Sequence, residues 1–259
     1  MMSKIVVGYI KKYFPAFIYR ILRWFYYYVL FICDFIRFTN LIPRSPKRFP
    51  KVRWRDRSPQ LYDKTEESGY DAHYVYHLAW AARIISKIKP MVHIDISSQI
   101  NFSTIVSAFI PMEYYDYRPA KISLQNLSTG KQDLTKLSFS DNSILSISCM
   151  HVIEHVGLGR YGDKIDPDAD VIAIAELKRV LAPGGNLLIV LPIGFAKITF
   201  NAHRVYSFDQ IITYLSDLHL KEFALLPDYN PEKGLIIPAN KEDADLQTYG
   251  CGCFWFTKD

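Results

Sequence analysis

The chain has 259 residues, which is long enough to bury the core of one large domain, and a net charge of +5. Its 49% hydrophobic and 15% aromatic content excludes an intrinsically disordered protein. The charge is uneven, because residues 1–60 hold 13 Lys and Arg against Asp34 and Asp56, which leaves residues 61–259 net acidic. We therefore predict a basic N-terminal appendage with an anionic partner, and a main domain that does not bind nucleic acid.

The N-terminal segment 13–38, "YFPAFIYRILRWFYYYVLFICDFIRF", combines apolar and aromatic residues with spaced charges. Its charge-free stretch, 24–33, is shorter than the roughly twenty apolar residues that a spanning helix needs. On a helical wheel the charges share one sector, opposite an apolar sector. The pattern predicts an amphipathic helix within residues 1–42, lying on the anionic inner face of the cell membrane through residues 1–60. Packing on a protein surface and a short tilted span are the alternatives.

The segment after this helix is rich in proline and basic residues. Prolines 43, 46, 50 and 59 predict an extended basic linker over residues 43–62, so that the main domain occupies residues 63–259. The four cysteines show no paired spacing, which favours a reducing, cytoplasmic setting. The "CGC" near the C-terminus lacks the second ligand pair of a zinc ribbon, and we interpret it as part of a strand.

From residue 71 onwards, helical and strand patterns alternate. Helices are predicted over 71–89, where Pro90 ends the pattern, in "FSTIVSAF" and over 169–182. Strands are predicted in "MVHIDIS", "EYYDYRP", "ISLQNL", "SILSISCM", "NLLIVLPIG", "LHLKEFALLP" and "YGCGCFWFTK". This alternation predicts an α/β fold, a doubly wound and mostly parallel seven-stranded sheet, with the last two strands antiparallel at its edge.

Two long segments of this domain, "DLTKLSFSDNSILSISCMHVIEHV" and "AIAELKRVLAPGGNLLIVLP", resemble the second half of a class I S-adenosylmethionine-dependent methyltransferase. "GLGRYGDKIDP", "FNAHRV" and "YGCG" resemble, more narrowly, an uncharacterised domain-of-unknown-function branch of that superfamily associated with bacterial surface polysaccharide genes. The resemblance covers most of residues 70–259. It implies a Rossmann-like fold, S-adenosylmethionine as cofactor, and methyl transfer to a small-molecule or glycan acceptor.

The resemblance also assigns cofactor-binding residues. Asp95 would support the first loop and bind near the amino-acid portion of the cofactor, while Ser97 stands where the superfamily has glycine. A serine held in a left-handed conformation would cost roughly 1–2 kcal/mol, although Ser97 and Ser98 could instead offer hydroxyls to the cofactor carboxylate. Asp116 would accept hydrogen bonds from the ribose, and Asp133 would lie near the adenine. A turn residue and an ordinary loop residue are the respective alternatives.

The spacing HxxEH in "HVIEH" offers a further interpretation of residues 151–155. Inverted zinc peptidases place two histidines and a glutamate in this pattern inside one helix. Here a strand pattern precedes His151 and glycines follow His155, which leaves about two helical turns at most. We therefore expect a loop at the transfer site and no bound metal, and keep a zinc hydrolase that uses His151, Glu154 and His155 as an alternative.

Polar residues after the fourth and fifth strands would face an acceptor. His151, His155 and His203 are candidate bases, since imidazole titrates near neutral pH. Four further residues could bind a carboxylate, phosphate or sugar hydroxyl, namely Arg160, Tyr161, Asn201 and Arg204. Loop scaffolding is the alternative for each: Arg160 could pair with Asp163 or Asp166, and His203 could cap a helix near Ser207. A protein that kept the fold but acts as a non-catalytic scaffold in glycan assembly is the competing function.

Overall fold

The computed structural model describes residues 15–41 and 52–259. The chain divides into two compact units, residues 1–69 and residues 70–259. In the first unit, helix α1 spans Ala16–Leu41 and a short 3-10 helix spans Trp54–Asp56. Much of the predicted linker, and the part of the predicted amphipathic helix before residue 15, lie outside the described residues. The predicted domain boundaries stay predictions.

Helix α1 carries two different faces. On one face, the ring of Phe35 meets Trp54 edge to face at 5.0 Å between ring centroids, and the Arg23 guanidinium lies 4.6 Å from the centre of the Tyr62 ring. A different face leaves apolar side chains in contact with solvent, including Ile21 (61% exposed) and Phe25 (60%). By length and composition α1 could also cross a membrane. Its placement relative to a bilayer stays a prediction.

The second unit contains the predicted succession of helices and strands. The helices are α2 (Ala72–Ile88), α3 (Ile100–Val106), α4 (Ala169–Val180), α5 (Phe208–Tyr214) and α6 (Lys241–Asp245), with 3-10 turns at Ile153–His155 and Pro231–Lys233. The strands are β1 (His93–Ile96), β2 (Met112–Asp116), β3 (Leu127–Lys131), β4 (Ile144–Met150), β5 (Leu181–Ile193), β6 (Lys197–Thr199), β7 (His203–Val205), β8 (His219–Leu226) and β9 (Gly250–Thr257).

Seven strands form one sheet in the order β3-β2-β1-β4-β5-β9-β8. Strands β1 to β5 pair in parallel, whereas β9 pairs antiparallel with both β5 and β8. This confirms the doubly wound, mostly parallel sheet. The last two strands pair antiparallel at the edge, as predicted, and β9 is the strand that runs against the other six. Strands β6 and β7 form a separate antiparallel ribbon.

The third strand lies later in the chain than predicted. Asn126 adopts φ 58°, a left-handed turn conformation, directly before Leu127. Leu127 is buried, whereas Leu124 is 48% exposed. Leu124 therefore lies before the turn, and β3 begins at Leu127, the last residue of "ISLQNL". The apolar pattern located the region of β3, but it could not show the turn that separates Leu124 from the start of the strand.

Hydrophobic cores lie on both faces of the sheet. Helices α2 and α3 cover one face, where Trp80, Ile84 and Phe102 are buried. Helices α4 and α5 cover the other face, with Leu177 and Ile211 fully enclosed. Because both faces are covered, a ligand can approach only the ends of the strands, and in open α/β sheets the crevice lies outside the carboxyl ends.

Candidate functional site

A cavity of about 430 Å³ opens at the carboxyl ends of β1, β2, β3 and β4. Its walls include the segments that leave these strands, with Ser97 after β1, Asp116 at the end of β2, Asp133 after β3 and His151 after β4. The chain order of the strands reverses between β1 and β4, so this is the switch point at which the fold creates a crevice.

Asp95 lies behind the cavity wall and does not line it. Its side chain is fully buried, and its two oxygens accept hydrogen bonds from the hydroxyls of Ser103 (2.7 Å) and Ser148 (2.5 Å). Burial raises the pKa of Asp95 to about 7. The arrangement is that of a residue that supports the first loop, which was one half of its predicted role. Its predicted contact to a cofactor stays a prediction.

Ser97, which stands where glycine was expected, and its neighbour Ser98 do not adopt a left-handed backbone conformation. Left-handed φ values occur at six described non-glycine residues, and neither Ser97 nor Ser98 is among them. Their hydroxyls lie 3.3 and 3.4 Å from the carbonyl oxygen of Met150, to which they donate. The anticipated cost of a left-handed serine is therefore corrected. Ser97 and Ser98 tie the first loop to the end of β4 and still line the cavity.

Both acidic residues predicted from the resemblance line the cavity. Asp116 accepts the backbone N–H of Arg118 at 2.7 Å on one oxygen and lies 3.2 Å from the Tyr114 hydroxyl on the other. Asp133 accepts the N–H and the hydroxyl of Thr135 at 2.9 and 2.7 Å. Each carboxylate is thus hydrogen-bonded within its own turn, as the alternative structural roles predicted. Each also lies in the cavity wall.

His151 is held in a left-handed conformation, φ 53°, at the end of β4. This conformation is unfavourable for a residue with a Cβ atom, and such strain concentrates at functional sites. Its Nδ1 atom lies 2.7 Å from Glu154 Oε1, and both side chains are buried. The carboxylate outweighs burial and raises the pKa of His151 to about 10. His151 in this form is a cation paired with Glu154, which is unsuitable for a general base.

His155 has the opposite electrostatic character. Burial lowers its pKa, so the ring is neutral near pH 7. Its Nδ1 lies 2.6 Å from the carbonyl oxygen of Ala202, to which it donates, and this leaves Nε2 as an acceptor. His155 lines the cavity and is the better candidate base. His203 lies outside the lining, 4.8 Å from Tyr249 between ring centroids, and burial lowers its pKa as well.

The glycine-rich segment 157–163 forms a loop that Asp163 holds in shape. Its carboxylate accepts the N–H groups of Gly157, Gly159 and Tyr161 at 2.8, 3.2 and 3.0 Å. Within the described part of the chain, Arg160 forms no ion pair with Asp163 or Asp166, which corrects that expectation. The carboxylate is already occupied by backbone donors.

Tyr161 lines the cavity, and two guanidinium groups lie close to its ring. Arg118 lies 4.5 Å and Arg160 lies 5.1 Å from the centre of its ring. Such cation–π contacts hold the ring in place without enclosing it. Tyr161 and Arg118 line the cavity, whereas Arg160 lies outside the lining, where it donates to the carbonyl oxygen of Ala202 at 3.1 Å. Arg118 was not predicted as a site residue.

Arg204 and Asn201 differ from their predicted role as acceptor ligands. Arg204 is 4% exposed and donates to the carbonyl oxygens of Val156 (2.6 Å) and Pro167 (3.1 Å). Asn201 Nδ2 donates to Leu158 at 3.4 Å. Neither lines the cavity. Asn201 ties the turn between β6 and β7 to the 157–163 loop, and Arg204 ties β7 to the residues that flank this loop, so the scaffolding alternative describes their contacts. Ser207, not His203, caps α5.

Two histidines of α2 were missed as site residues. His73 stacks between the rings of His151 and Tyr249, with centroids 5.6 and 5.3 Å apart, and His77 meets His151 edge to face at 4.9 Å. Cys251 of β9 lies 3.5 Å from His151 Nε2. The spacing of four residues between His73 and His77 places both on one face of a helix, and this signal could have been seen in the sequence.

Solved structures share the fold of this chain. A 1,6-didemethyltoxoflavin-N1-methyltransferase from Burkholderia thailandensis, with S-adenosylhomocysteine bound, is 12% identical with a TM-score of 0.50, over 71% of this chain and 79% of that one. A TehB-like SAM-dependent methyltransferase from Corynebacterium glutamicum is 17% identical with a TM-score of 0.46, over 74% and 90%. At such identities the similarity shows the class I methyltransferase fold alone.

Comparison of sequences gives the family. No curated protein matches the chain. The sequence profile of one family matches residues 84–225, which is more than half of the chain and includes β1 to β5 and the cavity segments. The chain therefore belongs to the family described as Caenorhabditis protein of unknown function, DUF268.

Proposed function

We propose that this protein transfers a methyl group from S-adenosylmethionine to an acceptor that enters the cavity beside His155. One observation carries the proposal: the cavity lies at the switch point of a class I methyltransferase sheet and presents Asp116 at the end of β2. A carboxylate at this point can accept two hydroxyl hydrogen bonds from a ribose. The cavity is large enough and is walled by apolar as well as polar side chains, as cofactor sites are.

The chain's own residues would act chiefly by positioning. S-adenosylmethionine supplies an electrophilic methyl group when bound, and an in-line displacement is accelerated mainly by alignment of donor and acceptor. Asp116 and Asp133 would bind the nucleoside, and the hydroxyls of Ser97 and Ser98 would face its amino-acid portion. The neutral His155 would accept the proton of a hydroxyl or amine acceptor at Nε2.

Calorimetric titration of the full-length protein with S-adenosylmethionine and S-adenosylhomocysteine tests the pocket. We expect saturable 1:1 binding that Asp116→Asn weakens at least tenfold, because a charge-assisted hydrogen bond is worth roughly 1.5–3 kcal/mol. Glu113→Gln is the matched control, since Glu113 lies on the same strand outside the cavity. Absence of binding at millimolar ligand would contradict the proposal and favour the non-catalytic scaffold. The observation that supports this alternative is that the hydroxyls of Ser97 and Ser98 donate to a backbone carbonyl.

We infer further that the acceptor lies at the cytoplasmic face of a membrane and is a sugar or lipid-linked glycan intermediate. The exposed apolar side chains of α1 support membrane attachment, because nothing in the described part of its own unit buries them. The basic excess of residues 1–60 would add attraction to anionic head groups. The polysaccharide context rests on the resemblance of "GLGRYGDKIDP" and "FNAHRV" to the bacterial branch.

Cosedimentation of the full-length protein with phosphatidylglycerol and phosphatidylcholine vesicles tests the attachment. We expect binding that is stronger on the anionic vesicles and is reduced by Ile21→Asp. Ile105→Asp is the control, because Ile105 is equally apolar, is 66% exposed and belongs to the second unit. Equal sedimentation of wild type and Ile21→Asp would contradict attachment through this face of α1.

A further inference from the structure

A histidine–cysteine cluster lies beside the cavity, built from three distant parts of the chain. His73 belongs to the first turn of α2, His151 follows β4, and Cys251 belongs to β9. One nitrogen of each imidazole and the Cys251 sulfur lie within 4.8 Å of one another. Cys251 Sγ and His151 Nε2 are 3.5 Å apart. Tetrahedral zinc with bonds near 2.0 and 2.3 Å requires about this nitrogen–sulfur separation.

A buried imidazole beside this cluster has a nitrogen without a hydrogen-bond partner among the described residues. His77, four residues after His73, is completely buried, and its Nε2 atom has no hydrogen-bond partner in the described part of the chain. Its ring meets that of His151 edge to face. An unpaired buried nitrogen is costly and rare in folded proteins. Three imidazoles and a thiol therefore converge, and a water on a cation bound there would offer His77 Nε2 a hydrogen-bond partner.

The second hydrogen bond of His151 suits a metal ligand. His151 Nδ1 is held by Glu154 at 2.7 Å, which fixes the ring so that Nε2 faces Cys251. A carboxylate bound to the second nitrogen is the usual support of a metal-ligating histidine.

We propose that His73, His151 and Cys251 bind a zinc-class divalent ion, with water at the fourth position next to His77. On binding, Cys251 loses its thiol proton and His151 loses its proton from Nε2. This site differs from the HxxEH alternative, because its ligands besides His151 are His73 and Cys251, and His155 is not among them. It also revises the expectation that no metal binds. Since His151 lines the cavity, the ion would lie in its wall, where it could orient an acceptor oxygen. That last role rests on the proposed function.

Metal titration of the untagged full-length protein tests the site. After dialysis against a chelator, Zn²⁺ is added in competition with a chromogenic chelator, and Co²⁺ is added to a parallel sample to record its visible and near-ultraviolet spectrum. We expect one ion per chain and a thiolate-to-cobalt charge-transfer band. Cys251→Ser should abolish the band, and His73→Gln should weaken zinc binding more than Glu154→Gln, for which the loss should be about 10–100-fold.

The controls separate this site from its alternatives. Cys149→Ser changes another fully buried cysteine of the same sheet and should leave zinc binding unchanged, as should His155→Gln. Circular dichroism confirms that each variant folds, and His73 is only partly buried, so its variant is the gentler one. No stoichiometric zinc in the wild type, equal binding by folded His73→Gln, or a loss in His155→Gln as large as in His73→Gln would each overturn the proposal. Titration with S-adenosylhomocysteine in the presence of chelator tests the proposed function separately.

Discussion

Asp95 keeps its carboxyl group inside the sheet, within a chain of hydrogen bonds through Ser148 to His93. Burial raises the pKa of Asp95 from 3.8 to about 7, which corresponds to about 4 kcal/mol. The folded state holds this proton more tightly than the unfolded state does. Its contribution to stability is therefore fully present below pH 3.8 and is lost as the pH rises through about 7. Burial lowers the pKa of His93 to about 3, so the folded state favours the neutral imidazole. The contribution of His93 to stability therefore depends on pH in the opposite direction and is lost as the pH falls below 6.5.

A comparison of Asp95→Asn with wild type separates the effect of the Asp95 carboxyl group on stability from the opposing effect of His93. The amide stays uncharged and can bond the same serine hydroxyls, so the stability of the variant relative to wild type should rise by several kcal/mol between pH 4 and pH 7. Urea unfolding at a series of pH values measures this difference. Asp133→Asn, which removes a carboxyl that is exposed to water, should run parallel to wild type. Parallel curves for Asp95→Asn as well would mean that Asp95 is ionised in the folded protein.

At the scale of elements, a buried guanidinium joins β7 to the residues on either side of the 157–163 loop. Arg204 is enclosed, donates to Val156 and Pro167, and lies 3.5 Å from Asp170. Arg204→Met would leave the buried carboxylate of Asp170 without its opposite charge, at a cost of about 3–5 kcal/mol. We expect a fall in melting temperature of roughly 6–20 °C. Arg160→Met, which removes an exposed guanidinium from the same region, should change stability by about 0.5 kcal/mol or less. Similar thermal shifts for both would contradict the scaffolding role of Arg204.

The pattern of apolar residues predicted most elements, because burial of a strand or of a helix face depends on local periodicity. It misplaced β3, whose start depends on a left-handed turn at Asn126. Arg160 and Arg204 were both predicted to bind an acceptor, because both follow strands in the sequence. The sequence does not reveal which of the two guanidinium groups is buried in the fold. The resemblance located Asp116 and Asp133, but the cluster of His73, His151 and Cys251 joins segments that are 78 and 100 residues apart, and only the fold brings them together.

At the scale of the whole molecule, the division into two units predicts that ligand binding and membrane attachment respond to different substitutions. S-adenosylhomocysteine at 100 times its dissociation constant should stabilise the second unit by about 2.7 kcal/mol, because it binds the folded state. Asp116→Asn should reduce this stabilisation and leave vesicle binding unchanged, whereas Phe25→Asp should do the reverse. Effects at distant, independent sites add to within about 0.5 kcal/mol.

The double variant Asp116→Asn/Phe25→Asp should therefore lose as much ligand-induced stabilisation as Asp116→Asn does and as much vesicle binding as Phe25→Asp does. Thermal melts with and without S-adenosylhomocysteine, and vesicle cosedimentation of the same four proteins, measure the two effects. If Phe25→Asp also reduced the ligand-induced stabilisation, the first unit would contribute to the site. Membrane attachment and cofactor binding would then be coupled, since coupling between two sites is reciprocal, and anionic vesicles should strengthen S-adenosylhomocysteine binding by the same factor as the ligand strengthens vesicle binding.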